Sequence, residues 1–165
     1  MKITSGSVYP AEVLCAQRGK AGTPGLLKGK ALSPTPLGTV IENTPQGIFG
    51  QSSHRWDGMA LPVGHWEGLH TGSATIRSTV SGGEPREYSV EILKLYPKDR
   101  LTGRNFLLRV TDPQLIAQTG GIVQGMSGSP ILQDGKLIGA VTHVLVNDPT
   151  LGYGIFIENM LEAAG

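Results

Sequence analysis

Short apolar runs alternate with glycine- and proline-rich turns along most of the chain. Within 87–95 every second residue is apolar up to Ile92, and 106–110 repeats this alternation. A period of two predicts strands with one buried and one solvated face. The segment 136–146 is apolar at almost every position, which predicts a central strand buried on both faces.

Further strands are predicted where short apolar segments lie between turn residues. Asp134-Gly135 is the strongest short hairpin signal in the chain. The basic segment 18–30 is interpreted as a solvated loop. The predicted strands cover 7–17, 37–42, 47–50, 72–80, 87–95, 106–110, 130–133, 136–146 and 153–157.

Two short helices complete the predicted elements. Asp112 can cap a helix and Pro113 suits its first position, so a helix is predicted over 113–118, ended by Gly120-Gly121. A terminal helix is predicted over 158–164. About nine or ten strands with two small helices are typical of an all-β barrel protein.

Composition supports this class and excludes several others. The chain has 165 residues, enough for one domain with a real core. Charged residues make up 16%, against about 25% in ordinary soluble domains, and glycine (24) and proline (11) are abundant, which disfavours a helical bundle. A net charge of +1 without a basic run lacks the clustered positive charge that nucleic-acid binding requires. No apolar stretch approaches the ~18 residues of a membrane span.

The cysteine and histidine content argues against stabilisation by disulfide bonds or bound metal ions. The one cysteine, Cys15, excludes an internal disulfide and a multi-cysteine zinc site, and its place in a predicted strand suggests that it is buried and inert. The histidines are scattered, so neither a metal nor any other cofactor is expected. His54, His65 and His70 lie in polar or turn-like segments and are expected at the surface.

The stretch 125–130, with the sequence GMSGSP, is the candidate for chemistry. A nucleophilic serine needs a tight turn with small neighbours and main-chain N–H groups that converge on a developing negative charge. The layout resembles the nucleophile turn of chymotrypsin-type serine peptidases. By that analogy Ser127 attacks, and the N–H groups of Gly125 and Ser127 form the oxyanion hole. The alternative is a glycine- and serine-rich turn without chemistry.

The wider sequence resembles the SpoIVB peptidase family of endospore-forming bacteria. The resemblance is densest over 119–161, which begins TGGIVQGMSGSPILQDGK, and it includes TPQGIFG at 44–50 and LRVTDPQLIAQTGG at 108–121. It implies a serine endopeptidase with a chymotrypsin-like double β-barrel. It also places the family nucleophile on Ser127 and a functionally implicated aspartate on Asp112.

The resemblance further implies a biological setting. These peptidases are secreted from the forespore into the space between the two spore membranes. There they cut a regulatory protein of an intramembrane protease, which leads to activation of a late sporulation sigma factor, and they also cleave themselves. Contact with a membrane is expected only through an anchor that precedes the peptidase domain, together with a PDZ domain.

One departure from the family pattern bears on activity. The family's catalytic histidine lies in a short G-H segment upstream of anything in this sequence. Residues 1–165 are therefore expected to be one peptidase domain, truncated at its N-terminus, with the first barrel incomplete. Without its general base the chain should be impaired as an enzyme. The alternative is a peptidase-like barrel that only binds peptides or proteins.

Two candidate site residues have a second interpretation. Thr142 and His143 lie on a predicted strand whose counterpart in chymotrypsin-like barrels lines the pocket for the residue before the scissile bond. A histidine at this position resembles the arrangement in relatives that prefer glutamine or glutamate before the scissile bond. The alternative for His143 is a hydrogen-bonded core histidine. Asp112 either orients the catalytic histidine or simply caps the helix that follows it.

Overall fold

The computed structural model describes residues 5–165. Its N-terminal part consists of short antiparallel strands in two small sheets, one with the order β1-β4-β5 and one formed by β2 and β3. The bounds are β1 Gly6–Val8, β2 Ala11–Gln17, β3 Leu26–Ala31, β4 Gly38–Thr44 and β5 Gly47–Ser52.

The C-terminal part is a closed antiparallel barrel with the strand order β10-β11-β8-β7-β6-β9. Two short helices, α1 and α2, follow β8 and β11. The bounds are β6 Gly72–Ser78, β7 Arg86–Leu95, β8 Phe106–Val110, α1 Pro113–Thr119, β9 Pro130–Gln133, β10 Lys136–Leu145, β11 Asp148–Phe156 and α2 Ile157–Ala164.

The core of the protein lies inside this barrel. Alternate residues of each strand point inward, as the period of two predicts. Phe106 of β8 meets Phe156 of β11 edge to face, with ring centroids 4.8 Å apart. Other fully buried side chains are Ile76, Ile92, Leu108, Ile131, Ile138 and Ile155. Burial of these branched side chains on every strand fixes the barrel on which the candidate site stands.

Local signals placed the helix and the main hairpin correctly. Asp112 caps α1, and Gly120 ends it in the left-handed conformation at φ 79°. Asp134 and Gly135 have φ values of 51° and 73°, as the mirror-image turn of a two-residue hairpin requires. The predicted all-β class and both short helices are confirmed.

Several predicted details are wrong. The single strand over 7–17 is two strands, because Pro10 has no N–H group and separates β1 from β2. The loop over 18–30 contains β3, whose Leu27 packs against the core. Cys15 is exposed rather than buried. The strand at 136–146 is buried in its middle, but its second half, including His143, reaches the surface.

The chain turn near the C-terminus is also shorter than predicted. The predicted strands leave a gap between 146 and 153, but β11 already begins at Asp148, which pairs with Leu145. No helix in residues 5–165 is long and apolar enough to cross a membrane.

Candidate active site

Ser127 lies at the tip of a turn that is held firmly on both sides. The turn is fixed to β10 by two main-chain hydrogen bonds, from Gly128 N–H to the Val141 carbonyl (2.8 Å) and from Val141 N–H to the Ser129 carbonyl (2.9 Å). Met126 is 1% exposed and Ser129 is 9% exposed, whereas Ser127 between them is exposed. The buried neighbours anchor the turn and leave the Ser127 hydroxyl at the surface.

The glycines that flank Ser127 give the turn its shape. Gly125 has φ 99° and Gly128 has φ 89°, which are left-handed conformations that glycine adopts without a steric cost. A Cβ added at Gly125 would lie 3.1 Å from the Cβ of Leu27 in β3. The close approach of β3 therefore adds a second reason for glycine at this position.

Two main-chain N–H groups of this turn are available to an anion. Across the described range 5–165, the N–H groups of Gly125 and Ser127 make no hydrogen bond within the protein, whereas those of Met126, Gly128 and Ser129 each donate to a main-chain carbonyl. Gly125 and Ser127 are the residues that the sequence suggests for an oxyanion hole. Their free donors are compatible with that role, which stays a prediction.

A cleft of about 470 Å³ opens beside Ser127. One wall is β10, from Ala140 to His143, and the opposite wall is the turn between β4 and β5 (43–48). Met160 of α2 and Ile155 of β11 complete the lining. The serine thus faces a groove between the barrel and the N-terminal sheet.

Thr142 and His143 stand together in this cleft. The Thr142 hydroxyl donates to the carbonyl of Gly103 at 2.7 Å, and His143 Nδ1 lies 2.9 Å from the same hydroxyl oxygen. Partial burial and the nearby charge of Arg104 hold the pKa of His143 below its usual value. Despite this partial burial His143 remains solvent-accessible and lines the cleft, which does not fit the alternative of a core histidine.

Asp112 is engaged at the start of α1. Its Oδ1 accepts hydrogen bonds from the N–H groups of Gln114 (2.9 Å) and Leu115 (3.0 Å), and its Oδ2 accepts one from Ser89 (3.3 Å). Asp112 does not line the cleft that contains Ser127. These contacts account for the residue as a helix cap, and its catalytic role stays a prediction.

The other three histidines lie outside the Ser127 cleft, and each has a surface contact. His54 packs edge to face on Trp56 (4.8 Å), and His65 Nδ1 lies 2.7 Å from Glu158. His70 Nε2 lies 3.0 Å from Asp134. In residues 5–165 no group of three or more histidine, cysteine or acidic side chains is placed to hold a metal ion.

Sequence reasoning missed one wall of the cleft and one charged residue close to His143. The β4–β5 turn carries part of the family resemblance, through TPQG at 44–47, but only the folded chain places it in the same cleft as Ser127. The charged residue is Arg104, whose guanidinium lies 5.3 Å from the ring centre of Tyr153, the strand partner of His143. No local sequence signal identifies Arg104, because only the pairing of β8, β10 and β11 brings these residues together.

An exposed serine on a glycine-flanked turn, at the mouth of an antiparallel barrel and beside a cleft, is typical of barrel-fold serine peptidases. The family model of the SpoIVB peptidase S55 matches residues 1–161. The chain therefore belongs to the SpoIVB peptidase S55 family and is a serine peptidase by family.

Solved structures show the same fold. The active form of the Rv3671c protease from M. tuberculosis has a TM-score of 0.57 and 17% identity, with 96% of this chain and 76% of that chain covered. The inactive form of Rv3671c has a TM-score of 0.54 and 16% identity, with 92% of this chain and 84% of that chain covered. At such identities the likeness concerns the fold alone. Comparison with curated proteins by sequence gives no match.

Proposed function

We propose that this protein is a serine endopeptidase of endospore formation and that Ser127 is its nucleophile. The observation that carries the proposal is the position of Ser127, exposed in a cleft beside two main-chain N–H groups that have no partner within residues 5–165. Family membership supplies the reaction class.

In the proposed reaction Ser127 Oγ attacks the carbonyl carbon of the scissile peptide bond. The negative charge that develops on the carbonyl oxygen is stabilised by the N–H groups of Gly125 and Ser127. The serine proton passes to a base and then to the leaving amine. By the family resemblance this base is the histidine of a G-H segment. Among the described histidines, His143 lines the cleft.

The substrate and setting are proposed from the family resemblance. The substrate is a regulatory protein of an intramembrane protease, and the enzyme also cleaves itself. Its site of action is the space between the two spore membranes, after secretion from the forespore. Asp112 is proposed to support the site through α1, whose start it caps.

A second candidate function is peptide or protein binding without hydrolysis. The observation that favours it is the contact of the Ser127 hydroxyl, which donates to the main-chain carbonyl of Thr142 at 3.1 Å rather than to a nitrogen base. A hydroxyl without a proton acceptor is a weak nucleophile.

Labelling with a fluorophosphonate probe tests the proposal. We expect label on Ser127 and none in Ser127→Ala. Ser129→Ala is the matched control, because Ser129 lies in the same turn but donates to the Ser78 hydroxyl inside the protein at 3.0 Å. This control should lose about 1 kcal/mol of unfolding free energy and keep its label.

The same experiment separates the two candidate functions. It is run on the chain alone and on the chain with the family's G-H segment added at its N-terminus. Label in either protein supports the peptidase. No label in both, with peptide binding retained in Ser127→Ala, supports the binding module and overturns the nucleophile.

A further inference from the structure

The hydrogen bonds of Thr142 fix the tautomer of His143. A threonine hydroxyl has one hydrogen, and that of Thr142 is donated to the Gly103 carbonyl, which can only accept. The hydroxyl oxygen is left as an acceptor toward His143 Nδ1 at 2.9 Å. Nδ1 must therefore carry a hydrogen. In the neutral ring the other nitrogen, Nε2, then holds a lone pair and accepts hydrogen bonds.

We propose that the cleft beside Ser127 selects a substrate side chain that donates a hydrogen bond, the carboxamide of glutamine, over the carboxylate of glutamate. The inference rests on the proposed function, because it assigns the residue that precedes the scissile bond. A carboxamide NH₂ donates to a lone pair on Nε2, whereas a carboxylate oxygen facing the same lone pair has no hydrogen to share.

The surroundings of His143 oppose the charged ring that a carboxylate would need. Partial burial and the positive charge of Arg104 both lower the pKa of His143, so the neutral ring is the resting form at neutral pH. Arg104 is held over the ring of Tyr153, which pairs with His143 across β10 and β11. Arg104 also attracts carboxylates, but it does not line the cleft that would hold the substrate side chain.

The tautomer is measured directly by two-bond ¹H–¹⁵N correlation spectra of the histidine rings, with His143→Gln used to assign the signals. We expect the Nδ1–H pattern at neutral pH. Thr142→Val removes the acceptor and should shift the population toward Nε2–H, and Thr142→Ser, which keeps a hydroxyl, should restore the original pattern. An Nε2–H ring in the unsubstituted protein overturns the inference.

Selectivity is measured by calorimetric binding of product-type peptides that are identical except for a C-terminal glutamine, glutamate or leucine. One well-formed hydrogen bond corresponds to about tenfold in affinity, so glutamine should bind about tenfold more tightly than glutamate. In Thr142→Val that ratio should fall toward one. Equal affinities, tighter binding of glutamate, or no binding of any peptide overturns the inference.

These measurements need no turnover, so their failure differs from failure of the proposed function. Loss of fluorophosphonate labelling with glutamine selectivity intact counts against the nucleophile and leaves the specificity assignment in place. Labelling of Ser127 without glutamine selectivity counts against the specificity assignment and leaves the nucleophile in place.

Discussion

The hydroxyl of Ser127 donates a hydrogen bond to the main-chain carbonyl of Thr142 at 3.1 Å. Thr142 is also the residue whose side chain contacts His143. The register of β10 and β11 slips between Val141 and His143, so Thr142 is left out of the ladder as a β-bulge. Bulges re-aim side chains and are frequent beside active sites. One bulged residue thus orients both Ser127 and His143 in the cleft.

Substitution of Asp112 separates a capping role from a chemical one. Asp112→Ala removes the acceptor for Gln114 and Leu115 at the start of α1 and should lower the free energy of unfolding by about 1 kcal/mol, measured by urea denaturation. Asp112→Asn keeps an oxygen at this position and should retain most of the stability. If Asp112 acts only as a cap, the asparagine variant labels at Ser127 as the unsubstituted protein does. A stable asparagine variant that no longer labels would show a chemical role.

Gly125→Ala should damage both the fold and the reactivity of the turn. The new Cβ would meet Leu27 at 3.1 Å, and φ 99° is costly for a residue other than glycine, by about 1–2 kcal/mol. Relief of this strain should move the Gly125 N–H and slow fluorophosphonate labelling. Gly135→Ala is the control, because it has φ 73° with no atom within 4 Å of the added Cβ and lies in the β9–β10 hairpin. Equal labelling rates in the two variants would argue against an oxyanion role for Gly125.

Arg104 should tune the titration of His143. The pKa of His143 is lowered first by burial and then by the charge of Arg104, so Arg104→Gln should raise that pKa part of the way to its usual value of 6.5. Arg104→Lys keeps the positive charge and should leave the pKa of His143 low. NMR titration of the ring measures both variants, and an unchanged pKa in Arg104→Gln would contradict the assigned cause.

The lowered pKa of His143 makes the free energy of unfolding depend on pH. As the pH falls through the usual histidine range, the unfolded chain takes up a proton before folded His143 does. The contribution to stability is complete above the usual pKa and is lost as the pH falls through the lowered value. His143→Gln should remove this part of the pH dependence, and an unchanged stability profile in that variant would contradict the linkage.

His70 should titrate in the opposite direction. The Thr71 carbonyl at Nδ1 and the Asp134 carboxylate at Nε2 both favour the charged ring and raise the pKa of His70. Its contribution to stability is present at low pH and is lost as the pH rises through the raised pKa. Asp134→Asn should lower the pKa of His70 in an NMR titration. Asparagine tolerates the φ of 51° at this turn position, so the hairpin should remain intact.

The elements predicted correctly are those with local causes. The Asp134-Gly135 hairpin needs only two residues that tolerate positive φ. The helix α1 needs only Asp112 before Pro113 and Gly120 after its last turn. The alternation in β7 and β8 needs only one buried face.

The elements that were missed depend on partners distant in the sequence. The strand β3 has little apolar alternation of its own, and it is held by β2 and by hydrogen bonds with the turn before Gly125. Cys15 is exposed because β2 lies with β3 in a two-stranded sheet outside the closed barrel.

The amino-acid sequence alone determined the barrel class, the two short helices and the serine turn, because each follows from side-chain periodicity or from the φ preferences of a few neighbouring residues. Tertiary structure decided what surrounds that serine. The cleft wall at 43–48, the bond from Thr142 to Gly103 and the charge beside His143 arise only when separate strands pair. Such contacts depend on register and closure of the whole sheet, which no short stretch of sequence specifies.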